Sequence, residues 1–338
     1  MNDSLIEWTS KTWNPVTGCS GPKVSPGCAN CYAERTAKTR LAGRHGYDAN
    51  DPFGIHYHQD RLFEPLRMRK PSRIFVCSMG DLFHDEVLNY RIARIFSVMA
   101  RCPQHTFMLL TKRAERMHHF ITDEFAHSWL GASWPEVTKQ ASVDLKIDAP
   151  WPLPNVWLGV TVCNQAEADA KLPVLLQTPA AKRFVSVEPM LGPVEIGKYL
   201  YGSYECALSC GHRQAFTDPP EKQCTKCGFT GPDDYATWGD GSCEECPKCG
   251  QDGCCGEIEE ICPDCGTYMV REHPDTPNID WVIAGPETGP KARAANEVWF
   301  RSLRDQCHAD YCKTPFFLKK NSDGSRLLDG REWNEVPS

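Results

Sequence analysis

The sequence predicts an α/β protein, a partial or complete parallel β/α barrel that carries an inserted zinc-ribbon lobe. Three observations predict it. Apolar runs of strand length recur along the 338 residues, with amphipathic helical stretches between them. The runs are apolar almost throughout, as strands covered on both faces are, so the sheet is read as parallel. Between about 196 and 277 the alternation stops, and Gly, Pro, Cys and acidic residues crowd together. Residues 1–195 and 278–338 are therefore assigned to the barrel and 196–277 to the lobe. A doubly wound sheet is the second architecture that the alternation allows.

In chain order, Trp13–Thr17 is the first strand-like segment, and a helix is expected over Ala29–Leu41. The run Arg73–Asp81 follows, then a helix over Leu88–Ala100 with Ile92, Ile95, Phe96 and Met99 on one stripe. The next runs are Thr106–Arg113, Val156–Val162 and Arg183–Glu188. Beyond the lobe, Trp281–Thr288 and Pro315–Lys319 read as strands, with a helix over Asn296–Cys307 between them. This makes six or seven β-α units. Either architecture puts its working face at the C-terminal ends of the strands. Asp81, Lys112, Arg113, Glu188, Glu287 and Lys319, which end these runs, are expected to converge there.

The net charge of −7 is uneven. From Gly231 to Cys265 there are ten acidic residues and one basic, leaving 34 acidic and 36 basic elsewhere. The acidic window would be repelled by phosphate, whereas the near-neutral remainder permits a nucleic-acid contact without requiring one. No run of 18 apolar residues exists, so no membrane span is expected. The N-terminus lacks a basic start and an apolar core of signal-peptide length, and a cytoplasmic location is expected. The sequence fixes no oligomeric state.

Nineteen cysteines in a chain of this size and expected compartment point to metal rather than disulfides. Cys224/Cys227, Cys246/Cys249 and Cys262/Cys265 are C-x-x-C pairs each followed by Gly, the form of a zinc knuckle. Cys246, Cys249, Cys262 and Cys265 make one four-thiolate zinc site, with twelve residues between the pairs. Cys224 and Cys227 are completed by Cys206 and Cys210, with His212 as a substitute; Cys243, Cys254 and Cys255 can exchange in as ligands. Two zinc ions are thus expected, supplying the folding energy of a lobe with little apolar core.

A third cluster lies near the start. Cys19, Cys28 and Cys31 stand between an apolar stretch and a helical one. Three thiolates can hold three corners of a 4Fe–4S cube and leave its fourth iron open to a ligand. They can equally form a structural zinc site completed by a distant His or Cys. Placement after the first strand, at the catalytic end of the barrel, favours the cluster.

The segments Trp13–Cys19, Gly27–Glu34 and Phe75–Phe83, with Asp280–Gly289, Ser302–Cys307 and Leu328–Trp333 near the other end, carry a resemblance. They resemble an uncharacterised family common in phages and prophages, named after phage gene products, which is itself similar to radical S-adenosylmethionine enzymes. The resemblance covers about 1–195 and 278–338 and implies nothing for the lobe. It implies a 4Fe–4S cluster on Cys19, Cys28 and Cys31, with S-adenosylmethionine chelating the fourth iron. One electron from a flavodoxin- or ferredoxin-type donor would then release a 5′-deoxyadenosyl radical that abstracts hydrogen from the substrate. By the same resemblance, Ser78, Gly80 and Asp81 would face the methionyl amino group, and Glu188 and Glu287 the ribose hydroxyls or the substrate. This chain departs from the usual C-x-x-x-C-x-x-C spacing, with eight residues between its first two cysteines and Asn30 where an aromatic residue is usual.

A nucleic acid or nucleobase is the implied substrate, to be modified or repaired. The alternatives are a non-enzymatic, zinc-stabilised binding protein and a nucleic-acid enzyme without radical chemistry. In the latter, Lys112, Arg113, Arg116, His118 and His119 would face phosphate. Cys77, and less so Cys163, are candidates for returning a hydrogen atom to a substrate radical; packing as small hydrophobes is the competing role.

Overall fold

The computed structural model describes residues 1–4, 6–123, 150–200, 278–309 and 313–337, with the backbone of short strands between 203 and 271. It divides into two units, one of 1–195, 279–307 and 314–338, the other of 196–278 and 308–313.

The first unit begins with β1 (Asn2–Asp3), β2 (Lys11–Trp13) and β3 (Val16–Thr17). The short helix α1 (Tyr32–Thr36) follows, running on into a wider turn over Ala37–Leu41, and then β4 (His56–Tyr57). Strand–helix alternation continues with β5 (Arg73–Val76), α2 (Asn89–Ala100), β6 (Thr106–Thr111), α3 (Ala114–Thr122), β7 (Val156–Val162), α4 (Gln165–Gln177) and β8 (Lys182–Val187).

The second unit follows in the chain. It contains β9 (Ser203–Cys206), β10 (Arg213–Ala215), β11 (Lys222–Cys224), β12 (Thr230–Gly231), β13 (Cys255–Glu257) and β14 (Met269–Arg271), in two three-stranded antiparallel sheets. Of the expected zinc ligands, Cys206 and Cys224 lie on β9 and β11 with their side chains outside the described residues. Cys210, Cys227, Cys246, Cys249, Cys262 and Cys265 lie outside them altogether, as do His212, Cys243 and Cys254.

The first unit is completed by β15 (Trp281–Ala284), α5 (Glu297–Cys307), β16 (Phe316–Leu318), β17 (Leu327–Leu328) and β18 (Arg331–Glu332). Its main sheet runs β1-β2-β5-β6-β7-β8-β15-β16. Every neighbouring pair from β2 to β16 is parallel; only β1 is antiparallel. The seven parallel strands stand in sequence order, which rules out the doubly wound alternative, where the order reverses midway. Right-handed crossovers between strands in that order all fall on one face, so the sheet curls one way. It forms a half-barrel, with β2 and β16 unpaired to each other among the described residues. The strands that flank the lobe in sequence, β8 and β15, are parallel neighbours in register from Phe184↔Trp281 to Val187↔Ala284.

The two-residue period of the strands separates two cores. The concave side holds Phe75, Met108, Trp157, Phe184, Trp281, Ile283 and Phe317, with Trp8 from the β1–β2 turn packed among them. Trp281 is its hub, edge-on to Trp8, Trp157 and Phe317 at 6.1–6.3 Å, with its indole N–H donating to the Glu335 carbonyl at 2.8 Å. Truncating a buried Trp of this kind to Ala costs about 3–5 kcal/mol. The convex side buries Ile74, Val76, Phe107, Leu109, Val160 and Val162. The expected stripe on α2 is buried, Ile92, Ile95, Phe96 and Met99 all being inaccessible to solvent. No helix among the described residues is long and apolar enough to cross a membrane.

Candidate functional site

The C-terminal ends of the parallel strands surround a cavity of about 380 Å³ on the concave side, all of it within the first unit. Trp8, Phe75 and Leu110 give it an apolar floor. Thr161, Ser186, Glu188, Lys112, Lys319 and Lys320 ring it, and Asn30, Cys31 and Tyr32 of the cysteine loop close one side. Volume and mixture suit a ligand site of small-molecule size.

The cysteine loop is anchored at its start by backbone. The Gly18 N–H donates to the Met79 carbonyl at 2.9 Å and the Cys19 N–H to the Phe53 carbonyl at 3.0 Å. Gly18, at φ 86°, forms a bridge with Gly80 that neither residue could keep with a Cβ, which at Gly80 would lie 2.7 Å from the Gly18 carbonyl oxygen. Asn14, just past β2, accepts from the Ser78 hydroxyl at 3.2 Å and the Met79 N–H at 3.0 Å. The buried His84 ring bonds the Ser20 carbonyl at 2.7 Å, and the Tyr32 hydroxyl donates to the Ser78 carbonyl. Ser78 and Gly80, expected against a cofactor, thus hold the loop that carries Cys19.

Asp81 follows in the same loop. It does not line the cavity, and its side chain is 7% exposed. Its carboxylate accepts from the Thr111 hydroxyl at 2.8 Å, the Phe83 N–H at 3.0 Å, the Lys112 N–H at 3.3 Å and the Arg113 guanidinium at 3.1 Å. With these partners it braces the end of β5 against the end of β6. The same Arg113 nitrogen donates to the Cys19 sulfur at 3.4 Å. Burial pushes the Cys19 thiol up, the Asp81 charge adds to this, and the Arg113 hydrogen bond opposes both.

Glu287 holds the far side of the loop. Its side chain, 4% exposed, accepts from Arg293 through the backbone N–H and Nε, each at 2.8 Å, and through Nη2 at 2.5 Å. Asn30, between Cys28 and Cys31, donates to it at 2.9 Å, and Arg293 reaches on to the Pro26 carbonyl at 3.0 Å. The Arg293 hydrogen bonds outweigh burial and hold the Glu287 carboxyl down to about 2. Its folded value lies below the ordinary 4.5, so the stabilisation is complete above pH 4.5 and is lost as pH falls towards about 2. Between these limits Glu287→Gln should lose less stability on acidification than the parent chain, read as urea midpoints against pH. Parallel profiles for the two proteins would contradict this linkage.

Glu188 and Lys319 meet in the cavity wall at 2.6 Å. Burial opposes the Lys319 charge, and the Glu188 carboxylate overrides it and keeps the ammonium above its usual range. Of the six strand-end residues expected to converge, four line the cavity: Lys112, Glu188, Glu287 and Lys319. Asp81 and Arg113 pair behind it.

Neither cysteine proposed for hydrogen return lines the cavity. Cys77 takes the left-handed φ of 58°, is buried, and has its thiol pushed up to about 12 by that burial. Cys163 packs beneath Gly27, its sulfur 3.5 Å from the Ser25 hydroxyl. Glu167 ties the two together, accepting from the Cys163 N–H at 2.8 Å and the Ser25 hydroxyl at 3.2 Å.

Cys19, Cys28 and Cys31 are free thiols of intermediate exposure, and Cys19 and Cys31 pack against the same small cluster of Ala33, Ala37, Tyr47 and Phe53. As arranged, no group of three His, Cys, Asp or Glu side chains among the described residues is disposed to hold a metal ion. Sequence reasoning missed Asn14, His84 and Arg293, the residues that fix this loop. Asn14 at a strand end before Pro15 was a usable signal; Arg293, in a loop without periodicity, gave none.

Residues 3–337 match a family model described as "Protein of unknown function (DUF5131)", which agrees with the resemblance to an uncharacterised gene-product family. No curated protein and no solved structure matches the chain.

Proposed function

As the chain belongs to this family, whose description assigns it no activity, we propose a function from its own site: a radical S-adenosylmethionine-type iron–sulfur enzyme. The observation that carries the reading is that Cys19, Cys28 and Cys31 are three free thiols on one anchored loop, with Cys31 lining the cavity at the C-terminal ends of the parallel strands. The donor set suits a 4Fe–4S cluster with one open iron. None of the three is in a disulfide, and the other described cysteines of the unit, Cys77, Cys102, Cys163 and Cys307, are buried. When bound, the cluster and S-adenosylmethionine supply one-electron cleavage of the sulfonium and hence hydrogen-atom abstraction, the electron coming from a flavodoxin- or ferredoxin-type donor.

The chain's own residues do the remaining work. Arg113 places a fixed positive charge on Cys19, which favours its thiolate and steadies it as a ligand. Asn30, Glu287 and Arg293 hold the loop from the other side, so that Cys28 and Cys31 are presented on a braced backbone. Glu188 has one carboxylate oxygen on Lys319 and the other without a partner among the described residues, open to a ligand hydroxyl. The apolar floor of Trp8, Phe75 and Leu110 offers a ligand packing surface.

The test is protein prepared without oxygen, assayed for iron, sulfide and zinc per chain and for reductive release of 5′-deoxyadenosine. About four irons per chain are expected, and Cys28→Ala should lose them while retaining the lobe's zinc, about two ions by the ligand count. Zinc lost from Cys28→Ala in place of iron would establish the structural-zinc alternative.

A further inference from the structure

Two cations in the cavity make no ion pair among the described residues. Lys112 and Lys320 are half-buried in its lining, and neither ammonium makes a hydrogen bond or ion pair among the described residues. Each lining carboxylate is already paired: Glu7 with Arg326 at 3.3 Å, Glu188 with Lys319 at 2.6 Å and Glu287 with Arg293 at 2.5 Å. The inward course of Lys112 follows from the strand period. Thr111 and Arg113 both turn to Asp81, so Lys112, like Leu110 two residues before it, faces the concave side. An ammonium without a protein partner at a cavity wall is available to a bound anion.

We infer that Lys112 and Lys320 form an anion subsite in this cavity, and that its substrate is a phosphomonoester on a flat apolar body, a nucleoside 5′-monophosphate or its like. Charge sets the class. Two free ammonium groups balance a phosphomonoester, which carries about −1.5 to −2 at neutral pH, better than a carboxylate or an internal phosphodiester. Lysine serves phosphate as a compact point charge, and its flexible stem lets two such groups close on one ligand. The flat body is set by the floor of Trp8, Phe75 and Leu110, and the hydroxyls of Thr161 and Ser186 suit a sugar. This deepens the proposed function and takes from it only that the substrate occupies the cavity.

The experiment is calorimetric titration of the purified chain with cytidine 5′-monophosphate, cytidine, and the dinucleotide CpC, which carries only an internal phosphodiester. A pyrimidine avoids mimicry of the adenosyl group. The monophosphate should bind best, and Lys112→Met and Lys320→Met should each weaken it about tenfold while leaving cytidine unchanged. Lys112→Gln serves if the Met variant does not fold. Equal binding of monophosphate and cytidine, or no loss in either variant, would overturn the subsite; CpC binding as tightly as the monophosphate would overturn the monoester class. Iron content separates the two readings. Lysine-dependent monophosphate binding by a chain that takes up no iron would leave the subsite standing and remove the radical chemistry. Iron without such binding would do the reverse.

Discussion

Asp81→Ala is expected to destabilise the first unit by about 3–5 kcal/mol, because it leaves the Arg113 guanidinium buried without its carboxylate. Both side chains are under a tenth exposed, and the loss extends to the Thr111 hydroxyl and the Phe83 and Lys112 N–H groups. Urea unfolding followed by far-ultraviolet circular dichroism measures it. The double variant Asp81→Leu with Arg113→Met should recover part of the loss, since it leaves no buried charge unpaired. An Asp81→Ala protein within about 1 kcal/mol of the parent would show that the pair is no more than a surface ion pair in effect. Because the Asp81 charge opposes the Cys19 thiolate while Arg113 favours it, the same variant should alkylate faster at Cys19.

Gly18→Ala carries the second large effect. Its φ of 86° alone costs an L-residue about 1–2 kcal/mol. A Cβ there would lie 2.0 Å from the Gly54 carbonyl oxygen and 2.6 Å from that of Phe53, both backbone atoms with no side chain to swing aside. Overpacking of this kind adds about 1–3 kcal/mol. Gly324→Ala is the control, at a similar φ of 90° with nothing within 4 Å, and should show the strain without the clash. Thermal midpoints of the two variants measure the difference, and iron uptake by Gly18→Ala should fall because the residue adjoins Cys19. Equal midpoints would mean that the 51–54 turn yields to the new methyl group.

The two variants probe what the sequence concealed. Strand runs such as Val156–Val162 and Arg183–Glu188 were legible because strands covered on both faces must be apolar throughout, and no helix of ordinary pattern looks the same. The stripe on α2 was legible for the matching reason at the helical period. The cysteine loop was legible as a cluster of three thiols, because their spacing stands in the sequence itself. Its bracing was not. Asp81 sits 32 residues before Arg113 and 62 after Cys19, and nothing local distinguishes a carboxylate that ligates from one that holds a loop in place.

The sequence by itself determined the parallel α/β class, the strand ends that meet at one face, and the loop of three thiols. These are local properties, fixed by residue period and spacing. Tertiary structure decided that the barrel is half a barrel, since closure depends on whether β2 and β16 find each other, and no pattern within either strand encodes that. It also decided the division of labour among charges: Asp81, Arg113, Glu287 and Arg293 satisfy one another as braces, while Lys112 and Lys320 are left to the cavity. A charge becomes available to a ligand only when every nearer partner is taken, and that count exists only once the chain is folded.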